Sequence, residues 1–235
     1  LAGRDSLLIF NSSKTAAEIR AIQQRLSFTA PYVCENGAAL EFPDPQPGQQ
    51  DQCFGLLRQN WLPEVHALRD KTDYNFEGFA DWTDARVSEL TGLSEQEAGL
   101  ARQRQYSEPI LWRGPASARR QFETDLAGMG LSLLEGGRFF SIQGQHDKSD
   151  AMQWMQQQFA DSNTVTVALG DSPNDSAMLA AADIAVIIKS AKSEQIQIQG
   201  PEKIIRTSRP GPAGWKDAMM DILQLVDSTG ENKHG

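Results

Sequence analysis

Gly170-Asp-Ser-Pro-Asn-Asp175, directly after the apolar run Thr164–Leu169, is the stretch that decides the fold. The run predicts a strand, because it is short and rich in β-branched residues. Gly170 permits a sharp exit from that strand, so Asp171 is expected at the strand tip. The last two residues of the stretch follow one short turn later, where a helix is predicted to begin. The pattern is therefore strand, tight polar turn and helix.

Three oxygen donors lie in this arc, namely Asp171, Asn174 and Asp175. Proteins hold Mg²⁺ with a few carboxylates, waters and substrate phosphate oxygens. We therefore predict these three residues as Mg²⁺ ligands. The alternative is that they cap a helix N-terminus. Capping accounts for Asn174 or Asp175, but not for a Gly-Asp pair at a strand tip.

A second strand–turn–helix unit lies near the start of the chain. The apolar run Ser6–Phe10 ends at polar residues 11–15, and Thr15 and Glu18 have the spacing of a capping box. Alternating strands and helices predict an α/β fold, with a doubly wound parallel sheet covered by helices on both faces. Ligands bind at the carboxyl ends of the strands in such sheets. We therefore expect residues 11–15 and 170–175 to meet in one crevice.

The middle of the chain has a different pattern. Residues 43–52 are rich in proline, glycine and glutamine, which predicts a boundary. From there to Gly144, helical segments alternate with short strand-like ones, and this pattern indicates an inserted α+β module. The predicted organisation is a core formed by residues 1–49 and 145–235, with an α+β cap over residues 50–144.

Three motifs resemble those of the haloacid dehalogenase superfamily, in the branch whose cap lies between motifs II and III. The stretch 170–175 resembles motif IV (GDxxND), Ser12 resembles the motif II hydroxyl that binds the transferring phosphoryl group, and Lys148 resembles the motif III lysine. Glu35-Asn-Gly37 matches a turn common in this branch. The resemblance implies a Rossmann-like core and assigns catalytic roles to Ser12, Lys148 and Asp171.

Further segments resemble the mannosyl-3-phosphoglycerate phosphatases within this branch. They are residues 12–15 (SSKT), 35–38 (ENGA), 82–93, 111–113, 136–139 and 211–215. This resemblance implies a Mg²⁺-dependent phosphomonoester hydrolase that acts on mannosyl- or glucosyl-3-phosphoglycerate through an aspartyl-phosphate. Two alternatives stay open: a non-catalytic sugar-phosphate-binding homologue, and a phosphatase for another small sugar phosphate.

The first motif of the superfamily, DxDGT, supplies the nucleophilic aspartate and a second aspartate that acts as general acid and base. No stretch of the 235 residues matches it. Because this motif ends the strand before motif II, and the chain begins with Leu1, we expect the nucleophile upstream of Leu1. A homologue that has lost the motif is the alternative. In either case the chain by itself is expected to be inactive.

Recognition of a glycosyl-phosphoglycerate requires cations, because this substrate carries a phosphate and a carboxylate. The family-like segments offer five candidates for substrate binding, which are Ser13, Lys14, Arg113, Arg138 and Lys189. Arginine binds a carboxylate with two parallel hydrogen bonds. Arg138 is favoured over Arg113, since simple surface exposure explains Arg113 equally well. A lysine at a helix N-terminus opposes the helix dipole, so phosphate binding is the favoured interpretation of Lys14.

Composition limits the class of partner. A net charge of −9 argues against nucleic acid and anionic membranes, which require a basic surface. Two cysteines are too few for a disulfide framework, which predicts a cytoplasmic location. No apolar run approaches the ~20 residues of a membrane span. The expected partner is a small phosphorylated sugar acid, and the sequence leaves the oligomeric state open.

Overall fold

The computed structural model describes residues 6–72 and 74–231. The chain divides into two compact units, Leu1–Ala151 and Met152–Gly235. Helix α6 (Lys148–Phe159) begins in the first unit and continues into the second.

The first unit begins with a small mixed sheet. Its strands, in sheet order, are β1 (Phe10–Asn11), β2 (Tyr32–Cys34), β3 (Ala39–Glu41) and β4 (Gln52–Cys53). Strand β1 pairs with β2 in parallel, and the remaining pairs are antiparallel. Helix α1 (Ala16–Arg25) begins at Thr15, whose hydroxyl and the Glu18 carboxylate form the predicted capping box.

The same unit contains a second sheet, which is antiparallel with strand order β5-β6-β8-β7. Its strands are β5 (Phe76–Gly78), β6 (Ser107–Trp112), β7 (Leu131–Glu135) and β8 (Phe140–Gly144), and its helices are α2 (Arg58–Thr72), α3 (Asp84–Thr91), α4 (Glu95–Ala101) and α5 (Ala116–Gly128). Helices α2 and α5 supply Trp61 and Phe122 to a buried cluster that also includes Ile110. All these elements lie within the segment expected to form the cap. Its separation as a domain at residues 50–144 stays a prediction, since both sheets belong to one compact unit.

The second unit contains a parallel sheet of β9 (Val167–Gly170), β10 (Ile184–Lys189) and β11 (Lys203–Pro210), with β10 in the middle. Successive residues of β10 point to opposite faces, as the strand period requires. Ala185 packs in a cluster with Leu179 of α7 (Ser176–Ala180). Val186 packs with Ile222 of α8 (Gly211–Glu231). Helices therefore cover both faces of this sheet, and the predicted doubly wound α/β fold is confirmed.

Two strands near the motifs differ from the predicted ranges. Strand β1 is limited to two residues, where the sequence predicted a strand over residues 6–10. Strand β9 begins at Val167, because the Thr166 N–H donates to the Asp183 carboxylate (2.7 Å) and not to a neighbouring strand. Within residues 6–72 and 74–231, no helix has the length and apolar character needed to cross a membrane.

Candidate active site

The turn after β9 is closely packed around Gly170. A Cβ atom at this position would lie 2.4 Å from the Cβ of Asp175, so a larger residue could not keep this backbone path. Asp175 ends a short 3₁₀ turn, Pro173–Asp175, and is buried. Gly170 therefore allows Asp175 to pack closely against the backbone, and it also permits the sharp exit from β9 that the sequence predicted.

The three predicted metal ligands have different environments. One carboxylate oxygen of Asp175, Oδ2, accepts hydrogen bonds from the backbone N–H groups of Asp171 (2.9 Å) and Ser172 (3.1 Å). Asn174 accepts a hydrogen bond from the Ser172 hydroxyl. The Asp171 side chain is exposed, and no residue in the described part of the chain bonds to its carboxylate. Asp171 is therefore open to a ligand, whereas Asp175 holds the turn.

The oxygen chemistry of this turn fits Mg²⁺ in part. Asp171 offers an open carboxylate at a strand tip, which suits a hard cation that keeps several waters and substrate oxygens. In the described ranges, no group of three or more histidine, cysteine, aspartate or glutamate side chains is arranged to hold a metal ion. Metal binding by Asp171, Asn174 and Asp175 therefore stays a prediction.

Lys189 lies in the same unit, at the end of β10. Its backbone N–H donates to the Thr207 hydroxyl at 2.9 Å. The residue lines a cleft of about 210 Å³ together with Ser193 and Arg206. Arg206 donates to the carbonyls of Ser193 (3.0 Å) and Ile196 (2.6 Å), and Glu194 also lines the cleft.

In the first unit, residues 12–15 form a loop, the Ser12 loop, directly after β1. The Ser12 N–H donates to the Val33 carbonyl (3.0 Å), and the Ser12 hydroxyl accepts from the Lys14 N–H (3.2 Å). Ser13 is exposed. The Lys14 ammonium pairs with Glu18 at 2.8 Å and lines a cleft of about 580 Å³ between α1 and α4. Lys14 is therefore already neutralised by a carboxylate one helical turn away.

Lys148 is the first residue of α6 and is buried, with 7% of its surface exposed. Its carbonyl accepts a hydrogen bond from the side-chain amide of Asn11 at 2.8 Å. Asn11 directly precedes Ser12 in the chain. The structure therefore brings the predicted motif II and motif III residues into one neighbourhood.

The two arginine candidates lie in the second sheet module, which consists of strands β5–β8 and helices α2–α5. Arg113 forms an ion pair with Glu77 (2.9 Å), and Arg138 donates to the Leu90 carbonyl. Both side chains are exposed, and these partners are all outside the Ser12 loop. Ser12 and Lys148 lie in the first unit, and residues 170–175 and Lys189 lie in the second. Their meeting in one crevice stays a prediction.

A buried carboxylate that sequence reasoning left without a role lies beside the Ser12 loop. Glu35 is 1% exposed, and its carboxylate accepts four hydrogen bonds. They come from the N–H groups of Gln105 (2.8 Å), Tyr106 (3.1 Å) and Ser107 (2.9 Å), and from the Ser107 hydroxyl (2.6 Å). The only signal in the sequence is the Glu-Asn-Gly turn itself, since the donors lie about 70 residues away.

The fold has known relatives. A family model described as sucrose-6F-phosphate phosphohydrolase matches residues 134–220. The phosphatase BT1666 from Bacteroides thetaiotaomicron superposes with a TM-score of 0.62 at 14% identity, over 94% of this chain and 82% of that one. A haloacid dehalogenase-like hydrolase from B. subtilis gives 0.58 at 14% identity, over 85% and 82%. The subclass IIB sugar phosphatase BT4131 gives 0.55 at 13% identity, over 85% and 80%.

These similarities show the fold of the chain. The chain has the fold of the haloacid dehalogenase hydrolases, as the motif resemblance predicted. The second sheet module lies between the motif II and motif III residues, which agrees with the predicted branch.

Proposed function

We propose that the protein is a Mg²⁺-dependent phosphomonoester hydrolase for a small phosphorylated sugar, with mannosyl- or glucosyl-3-phosphoglycerate as its substrate. The observation that carries the proposal is the buried Lys148 at the start of α6, joined through Asn11 to the residue next to Ser12. A cation and a hydroxyl in one neighbourhood are suited to the oxygens of a transferring phosphoryl group.

Each residue has a distinct part in this proposal. The Ser12 hydroxyl donates a hydrogen bond to a phosphoryl oxygen. The Lys148 ammonium supplies a positive charge, and burial strengthens its attraction for the phosphate because the local dielectric is low. Asp171 holds the cation, and Asp175 maintains the turn that presents Asp171. Bound Mg²⁺ would neutralise the negative charge that develops on the phosphate.

The attacking group is not supplied by a DxDGT motif within the 235 residues. In the resemblance that supports the proposal, an aspartate attacks phosphorus and forms an aspartyl-phosphate, which divides one difficult step into two. We therefore assign nucleophilic attack to a residue expected outside this sequence, and binding of the phosphate and cation to the residues described above.

Substrate recognition is proposed to depend on cations. Lys189 with Arg206 offers a cationic cleft, and Lys14 can bind a phosphate only in competition with Glu18. Arg138 and Arg113 are proposed to bind the carboxylate of the substrate. Similarity to a sugar phosphatase and to a sucrose-6F-phosphate phosphohydrolase model supports a sugar phosphate of some kind.

A non-catalytic sugar-phosphate-binding homologue is the second candidate, and the missing DxDGT motif favours it. A phosphate-release assay separates the two candidates. The assay uses residues 1–235 and the product of the complete reading frame, with mannosyl- and glucosyl-3-phosphoglycerate, in Mg²⁺ and in EDTA.

The proposal predicts EDTA-sensitive release from the complete product, strong loss in Asp171→Asn, and no release above background from residues 1–235. Turnover by residues 1–235 alone would show that the nucleophile has been misplaced. No release from the complete product, together with retained substrate binding, would establish the non-catalytic candidate.

A further inference from the structure

The turn between β2 and β3 is strained and is held by its neighbours. Glu35, Asn36 and Gly37 have φ values of 47°, 62° and 100°. Residues other than glycine seldom adopt such angles, and they persist only where the surroundings fix them. One side of the turn holds the Ser12 loop: the Asn36 N–H donates to the Ser12 carbonyl (3.0 Å), and the Glu35 N–H donates to the Lys14 carbonyl (2.9 Å).

The other side of the turn packs against the backbone that leads into Lys148. A Cβ atom at Gly37 would lie 1.9 Å from the Asp147 carbonyl oxygen and 2.8 Å from the Lys148 nitrogen. Nε2 of His146 lies 3.2 Å from the Glu35 carbonyl oxygen. The turn therefore contacts three consecutive residues up to Lys148, and no side chain fits at residue 37.

Asn11 holds the Lys148 backbone at its carbonyl. Its amide donates to the Lys148 carbonyl at 2.8 Å, and its backbone is paired with Val33 in the β1–β2 ladder. Asn11 is therefore itself held in place by strand pairing. Gly37 limits the position of the Lys148 nitrogen, and Asn11 limits the position of its carbonyl.

We propose that Asn11 and Gly37 are positioning residues, which fix the backbone of Lys148 beside the Ser12 loop and so aim its ammonium at a bound phosphate. The inference rests on the proposed function in taking Lys148 as the phosphate-binding cation. Neither residue contacts phosphate in this proposal. Each acts through Lys148.

Two substitutions test the two contacts separately. Asn11→Ala removes one hydrogen bond and introduces no clash. Gly37→Ala places a methyl group against the Asp147–Lys148 backbone. Gly92→Ala is the matched control, because Gly92 also has a positive φ (82°) but a Cβ there meets nothing within 4 Å. The control therefore carries the backbone strain without the displacement of a neighbour.

Two measurements are made on each protein. Broadening of the ³¹P resonance of inorganic phosphate reports binding, and amide exchange over residues 146–150, followed by mass spectrometry, reports the backbone. We expect faster exchange in Asn11→Ala and Gly37→Ala, with a phosphate dissociation constant raised about tenfold or more, since small misplacements of a binding group are costly. We expect neither change in Gly92→Ala.

Unchanged exchange in both variants would overturn the inference. So would parental phosphate affinity in a variant whose exchange is faster, because Lys148 would then bind without being held. If the parent protein does not broaden the phosphate resonance, the proposed function fails, and exchange alone decides whether Asn11 and Gly37 hold Lys148. If Gly37→Ala does not fold, Asn11→Ala carries the test.

Discussion

Replacement of Glu35 by glutamine exchanges one carboxylate oxygen for an NH₂ group inside a site that contains only donors. The carboxylate is 1% exposed and accepts from three consecutive N–H groups and one hydroxyl, at 2.6 to 3.1 Å. Glutamine keeps the shape of the side chain, but its NH₂ group must face at least one of these donors. A hydrogen bond to a charged group contributes about 1.5–3 kcal/mol, and the remaining bonds weaken when the charge is lost. We therefore expect a loss of about 3 kcal/mol from the free energy of unfolding.

Urea denaturation measures this loss, and amide exchange at residues 105–107 localises it. Glu97→Gln is the control, because Glu97 also accepts from a backbone N–H and a hydroxyl, both of Ser94, but at an exposed site. Water can replace those bonds, so the control should lose less stability. A loss of less than about 1 kcal/mol in Glu35→Gln, with unchanged exchange at residues 105–107, would show that these hydrogen bonds do not stabilise the fold through the carboxylate charge.

Three further predictions concern other parts of the molecule. Burial lowers the pKa of His146, so the unfolded chain takes up a proton at a higher pH than the folded chain does. Stability should therefore fall as the pH falls below about 6.5, and melting curves from pH 7 to 5 should show a smaller decline in His146→Gln. Gly170→Ala should destabilise the protein by about 1–3 kcal/mol, because the added Cβ would overlap Asp175. Gly128→Ala should instead stabilise it by up to about 1 kcal/mol, because a Cβ at this last residue of α5 meets nothing within 4 Å. Urea melts measure both changes. Lys14→Met breaks a part-buried i,i+4 ion pair, in which Glu18 keeps its hydrogen bond from the Thr15 N–H, and should cost about 1 kcal/mol. Undiminished broadening of the ³¹P phosphate resonance in this variant would exclude Lys14 from phosphate binding.

Features set by neighbours along the chain were predictable from the sequence. The capping box of Thr15 and Glu18 depends on residues three apart, and it forms as expected. The strand, turn and helix around residues 170–175 also follow from local residue types. The fold class followed because it depends on the order of such units and not on their exact ends.

Features set by distant residues were not predictable. The start of β9 depends on a hydrogen bond from Thr166 to Asp183, which no local pattern indicates. Helix α2 was not predicted from the sequence, because Pro63 lies inside it and proline disfavours the interior of a helix. The environment of Glu35 is a further example, because the donors to its carboxylate lie about 70 residues away.

The four hydrogen bonds at Glu35 bear on how this protein could be recombined with its relatives. A chimera that receives residues 56–143 from another protein of this fold keeps Glu35 but loses Gln105, Tyr106 and Ser107, which donate the four hydrogen bonds described for its carboxylate. A graft without three consecutive N–H groups at that place would leave a buried charge unpaired, at a cost of several kcal/mol. Exchange of this segment is therefore expected to succeed only when the glutamate and its donor loop come from the same parent.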